Sequence, residues 1–102
     1  MKKYLVVITE MAQLDLRNLS HAIAFQHHSP ITAIRYIKGV YKEFEWLESN
    51  AETLKIQTRK SFLQYGFNVR CIHYKKMTII YVMSNNTAYI QRIIPSNTII
   101  TE

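Results

Sequence analysis

The sequence predicts an α+β fold in the order β-α-α-β-β-β, a predominantly antiparallel sheet with an αα-hairpin packed on one face. Three observations lead there. A short apolar run, Tyr4 to Ile8 (YLVVI), comes first and is closed by Thr9-Glu10. Two stretches of helical period follow, divided by Ser29-Pro30. From Val69 onward the chain is rich in β-branched and aromatic residues, with tight-turn residues between the runs. The 102 residues suit one compact domain over residues 1–102, with one core. No repeat, low-complexity stretch or linker divides them.

Each element has its own signal. Thr9 is a plausible N-cap, and Glu10 is well placed in the first turn of a helix running to about Gln26. Ala12, Leu16, Leu19 and Ile23 form its apolar stripe, with Asp15, Arg17 and Asn18 on the other side. Gln26-His27-His28 reads as a frayed end. Ser29 as N-cap and Pro30 at the first helical position start the second helix. Its stripe is Ala33, Ile37, Val40, Phe44 and Leu47, widened by Ile34 and Tyr41, and it ends near Ser49-Asn50. Residues 51–68 form a basic, aromatic-containing connection, in which Arg59 to Tyr65 can make a helical turn stopped by Gly66.

The second half reads as a meander. Val69 to Tyr74 is the second strand, Lys75-Lys76 a turn, and Thr78 to Met83 the third strand. Ser84-Asn85-Asn86 makes a hairpin, because Asn tolerates positive φ. Ala88 to Ile94 is the fourth strand, interrupted by Pro95, which has no N–H to give the ladder. The tail from Ser96 to Glu102 is expected to add a short edge segment.

Composition narrows the function. Thirteen Lys and Arg stand against seven Asp and Glu, a net charge of +6. Glu43, Glu45, Glu48 and Glu52 share one segment, whereas Lys55 to Arg92 contains no acid and seven cations: Lys55, Arg59, Lys60, Arg70, Lys75, Lys76 and Arg92. Such an asymmetry attracts a polyanion, whether RNA, DNA or an acidic protein segment. The single cysteine, Cys71, excludes an intrachain disulfide and suits a reducing cytoplasm, with the thiol inert in an apolar strand. Lys2-Lys3 and the short run after them do not make a signal peptide. No apolar stretch approaches the roughly 20 residues of a membrane span.

Recognised enzyme and cofactor patterns are missing. His27 and His28 are adjacent, and His21 and His73 have no partner at zinc-ligand spacing, so no metal is expected. No Gly-rich phosphate loop, serine triad or paired-carboxylate setting is present, and no cofactor is implied. Tyr65, Phe67, Tyr74, Tyr81 and Tyr89 could stack bases, but the strand-helix-helix order is not that of an RNA-recognition sheet. Most of these rings are expected to be core or half-buried.

Three pieces together, ITEMAQLDLRNL, SPITAIRY and TIIYVMSNNTAYIQRII, resemble the RelE/ParE superfamily of type II toxins. An Ile-Thr-x-x-Ala-x-x-Asp-Leu segment opening the first helix is matched by Ile8, Thr9, Ala12, Asp15 and Leu16. A Ser-Pro-x-x-Ala start to the second helix is matched by Ser29, Pro30 and Ala33. Arg70 and Arg92 stand where the meander of that family often carries arginines. The resemblance covers residues 4 to about 95.

The resemblance implies a toxin neutralised by an acidic antitoxin, with which it can form a hetero-oligomer, and leaves two targets. RelE-like members cut mRNA on the ribosome, and ParE-like members poison DNA gyrase. RNA cleavage needs groups that activate a 2′-hydroxyl, stabilise the phosphorane and protonate the leaving oxygen. After Arg92 this chain has Ile93-Ile94-Pro95-Ser96-Asn97 in place of a His-Gly-Arg-like cluster, and no basic residue follows. The reading is therefore ParE-like: inhibitory binding to a target, or contact with the antitoxin, through Arg70, Lys75, Lys76 and Arg92. The same four are the catalytic candidates if the chain is a nuclease. A degenerate, non-toxic interaction module is the third alternative. Strand alternation places Arg70 and His73 on opposite faces. If Arg70 and Arg92 share the face away from the helices, they could hold one anion together.

Overall fold

Capping chemistry decides where the chain turns. The computed structural model describes residues 2–99. Strand β1 (Leu5–Ile8) ends at Thr9, whose hydroxyl accepts the Ala12 N–H and so caps α1 (Glu10–His27). The same hydroxyl donates to the Ile90 carbonyl at 2.7 Å, tying the helix start to the last strand. Helix α1 does not fray. It closes on His28 in the left-handed region (φ 51°), whose N–H returns to the Ala24 and Phe25 carbonyls. Ser29 then caps the Thr32 N–H, and Pro30 opens α2 (Pro30–Asn50).

The rest of the chain is a short 3₁₀ turn and a meander. Residues Lys60–Tyr65 form the 3₁₀ turn, which stops at Gly66, where φ is 128° and the N–H reaches the Leu63 carbonyl. Strands β2 (Arg70–Tyr74), β3 (Met77–Ser84) and β4 (Thr87–Pro95) follow. Lys75 and Asn85 take positive φ in the two hairpin turns (52° and 57°). Pro95 is the last residue of β4, opposite Met77, where its missing N–H ends the ladder. Ser96–Thr98 is a 3₁₀ turn and not an edge strand, and the remainder of the expected tail segment lies outside the described residues.

The sheet runs β1-β4-β3-β2, with β1 parallel to β4 and the other pairs antiparallel. Both helices lie on one face, and the shortest dimension, 21 Å, matches one sheet and one helix layer at roughly 10 Å each. The core between them joins Ala12 and Leu16 of α1 and Val40, Phe44 and Leu47 of α2 to Met77, Ile79, Tyr81, Ala88, Ile90 and Ile93 of the sheet. Ile34 and Tyr41, expected to widen the α2 stripe inward, are exposed at 53% and 46%. They lie about 100° off the stripe's centre, outside the arc that α1 and the sheet can both cover.

The opposite face of the sheet is partly covered as well. Phe62, from the 3₁₀ turn, packs with Val69, Ile80 and Ile94 into a second apolar cluster, joined by Tyr65, Cys71, Val82 and Ile99. A cation-collecting outer face is therefore not what forms there. Cys71 is half-buried in this cluster, and burial pushes its thiol up against the opposing pull of Arg59, as an inert thiol requires. Of the five aromatics weighed as base platforms, only Phe67 is largely exposed, at 90%.

Tyr81 carries a buried polar link across the main core. Its hydroxyl donates to the Ala51 carbonyl at 2.7 Å, just past the end of α2. Burial pushes its phenol up to about 12. A raised folded-state value means the contribution is complete below the unfolded value near 10 and is lost as pH rises towards 12. Tyr81→Phe is expected to cost about 1–2 kcal/mol at pH 7 by orphaning that carbonyl, measured by urea unfolding. The wild-type protein should lose stability between about pH 10 and 12, and the variant should lack Tyr81's share of that loss.

Candidate functional site

The four cations singled out in the sequence stand at three separate places. Arg70 opens β2 on the side of Ile72 and Tyr74, facing the helices, and its Nε donates to the Leu54 carbonyl at 2.9 Å. Lys75 and Lys76 form the β2–β3 turn, both exposed. Lys75 Nζ lies 5.5 Å and 5.8 Å from the ring centroids of Tyr36 and Tyr74, which meet edge to face. Arg92 is on β4, two strands from β2. Arg70 and Arg92 therefore share neither a face nor a ligand. His73 points away from Arg70, as alternation requires, with Nδ1 3.1 Å from the Thr78 hydroxyl, which in turn meets Ser96 Oγ at 2.7 Å.

Arg92 owes its position to a bulge. Ile80 faces Arg92 but Tyr81 faces Ile90, so Gln91 is an extra residue in β4. Strand β1 pairs only as far as Ile90, leaving the β4 edge without a neighbour beyond it. Asp15 fills that gap. Its Oδ2 accepts Arg92 Nε at 2.8 Å and the Ile93 N–H at 2.9 Å, and its Oδ1 accepts Arg92 Nη2 at 3.1 Å. Asp15 is thus not on the solvent side of α1, where its spacing put it, and its side chain is only 11% exposed. The carboxylate pushes the Arg92 guanidinium further toward its charged form. Beside this clasp, Glu10, Gln64, Tyr65, Gln91 and Arg92 line a shallow hollow of roughly 430 Å³.

A second cationic surface lies on α2. Arg35, Lys38 and Lys42 recur at i, i+3 and i+7, one face of a helix, and with Gly39 and Tyr74 they line a depression beside the Lys75–Lys76 turn. Gly39 leaves room there for the Tyr74 hydroxyl, which a Cβ would displace. The i, i+3, i+7 spacing of these three is visible in the sequence, but they lie outside the acid-free stretch from Lys55 to Arg92. Around the helix pair, Leu16, Ile34, Ile37 and Tyr41 floor a groove of roughly 650 Å³ rimmed by Arg17, Lys38, Lys42 and Glu45. Among the described residues no three His, Cys, Asp or Glu stand close enough to hold a metal, and no helix is long and apolar enough to cross a membrane.

An edge strand, an αα-hairpin and a meander whose last strand returns parallel to the first give the α+β order expected of a RelE/ParE toxin. The family model for the ParE toxin of the type II toxin–antitoxin system parDE matches residues 6–99. The chain belongs to that ParE toxin family. A chain from the chromosomal ParDE toxin–antitoxin system of P. aeruginosa superposes with a TM-score of 0.75 at 14% identity, over 91% of this chain and 96% of that one. A chain of the toxin–antitoxin complex RelBE2 from Mycobacterium tuberculosis gives 0.57 at 15% identity, over 91% and 98%. At those identities both comparisons speak for the fold. A search of curated sequences finds no significant match.

Proposed function

We propose that this toxin arrests growth in the cytoplasm by binding a target such as DNA gyrase, without cutting RNA, and that a cognate acidic antitoxin neutralises it. The observation that carries the reading is the Asp15–Arg92 clasp. A guanidinium held by a carboxylate through two nitrogens has little charge left over to stabilise a pentacoordinate phosphate. Arg70 is turned to a backbone carbonyl, and Lys75 and Lys76 stand at the far turn, so the candidate cations do not converge on one reacting phosphate. Inhibition by surface binding needs no such convergence.

The experiment is induction of the toxin without its antitoxin, with transcript ends mapped and gyrase supercoiling assayed on purified protein. The expected result is growth arrest with a DNA-damage response, inhibited supercoiling and intact mRNA. Ribosome-dependent mRNA cleavage is the second reading, favoured by the hollow that brings Glu10 and Tyr65 beside Arg92. Cuts in the ribosomal A site, abolished by Arg92→Ala, would establish it instead. Unaffected growth would make the chain a degenerate interaction module.

The groove between α1 and α2 suits the antitoxin. Its floor is apolar and its rim carries Arg17, Lys38 and Lys42, which match an acidic amphipathic segment that folds on contact. Ile34 is exposed on that floor. Ile34→Glu should weaken binding of the cognate antitoxin at least tenfold, about 1.4 kcal/mol or more, in calorimetry. Its melting temperature should stay within a few degrees of wild type.

A further inference from the structure

We propose that the α2 face bearing Arg35, Lys38 and Lys42, together with the Lys75–Lys76 turn, binds the phosphate backbone of a nucleic acid. This goes beyond the choice of target, since it concerns naked nucleic acid and needs neither gyrase nor the ribosome.

Three cations of α2 line this depression, Lys75 lies beside it over the Tyr36 and Tyr74 rings, and Lys76 is the next residue of the turn. All five are exposed, and none is within ion-pair distance of a carboxylate among the described residues, where only Lys2 and Arg92 are so engaged. Glu43 is the one acid lining the depression. From Arg35 to Lys42 the helix rises about 10 Å, long enough to reach more than one phosphate of a strand. The turn lysines lie to one side of this row, positioned to reach further phosphates.

The surface is also built to hold its shape. Tyr74 lies against the backbone at Gly39, a glycine in mid-helix that costs roughly 1 kcal/mol relative to alanine. That close approach brings the β2–β3 turn onto α2, and Lys75 is held over the Tyr36 and Tyr74 rings. An acidic amphipathic helix would want aliphatic anchors such as Leu16, Ile34 and Ile37 of the α1–α2 groove, and this depression has only Gly39 and the Tyr74 ring between its charged side chains. Spaced charge without aliphatic anchors fits a polyphosphate.

Fluorescence anisotropy of the full chain tests the proposal with three probes at 50 mM salt: a 20-bp DNA duplex, a 20-bp RNA duplex and a 20-residue polyglutamate. Either duplex should bind, and the one bound tighter names the nucleic acid. With about four phosphate contacts, affinity should fall on the order of a hundredfold between 50 and 200 mM salt. Lys38→Glu/Lys75→Glu should lower duplex affinity at least tenfold, and so should Arg35→Glu/Lys42→Glu, which changes only exposed helix positions. Arg59→Glu/Lys60→Glu, with the same change in net charge elsewhere, should stay within threefold. Equal loss in that control would overturn the proposal, as would failure of both duplexes to bind. Tighter binding of polyglutamate than of either duplex would assign the surface to an acidic protein and also overturn it. None of these readouts depends on how the toxin arrests growth.

Discussion

Replacing Asp15 with alanine is expected to destabilise the protein by about 3 kcal/mol, which would lower the melting temperature by roughly 15 °C. Two losses add. The Arg92 guanidinium, two-thirds covered, is left without its counter-charge, and the Ile93 N–H at the bared edge of β4 loses its acceptor. The order of variants makes the claim specific. Asp15→Asn keeps an oxygen for Ile93 and should cost about half as much. Arg92→Ala strands the more buried partner, but Ile93 still satisfies part of that carboxylate, so its cost should fall between the two. Urea unfolding of all three gives the ranking. If Asp15→Ala stays within about 1 kcal/mol of wild type, the clasp is not what joins α1 to β4.

Phe62→Ala is expected to cost a further-reaching 3–4 kcal/mol, although Phe62 lies outside the core between helices and sheet. Its ring is 4% exposed and closes the second cluster over Val69, Ile80 and Ile94. Truncation would open that face to water, because the other ring of the 3₁₀ turn, Tyr65, already packs at the side of this cluster. Phe67→Ala, five residues on and 90% exposed, should change stability by less than about 0.5 kcal/mol. Thermal unfolding of the pair separates a packed second layer from a loose loop. Equal small effects would mean that residues 60–66 do not cover the sheet.

The site was less legible than the fold, and particular residues show why. Thr9, Ser29 and Pro30 announce both helix starts because capping depends on two or three neighbouring residues. Asn85 and Gly66 mark turns for the same local reason. Arg70 and Arg92 looked equivalent because strand alternation assigns a face only when the register is regular. The bulge at Gln91 shifts the register of β4, and the end of β1 opens an edge that Asp15 then occupies. Nothing near Asp15 in the chain signals a partner 77 positions away.

The sequence by itself determined the element order, the apolar stripes of both helices and the excess of positive charge, all of which arise from contacts within a turn or two of chain. Tertiary structure alone decided which cations are neutralised and which stay free. Asp15 and the Leu54 carbonyl engage Arg92 and Arg70, while Tyr74 and Gly39 bring Lys75 onto the basic face of α2. A cation's availability depends on which polar groups lie within about 4 Å of it, and between distant segments only the packing of helices on the sheet sets that distance.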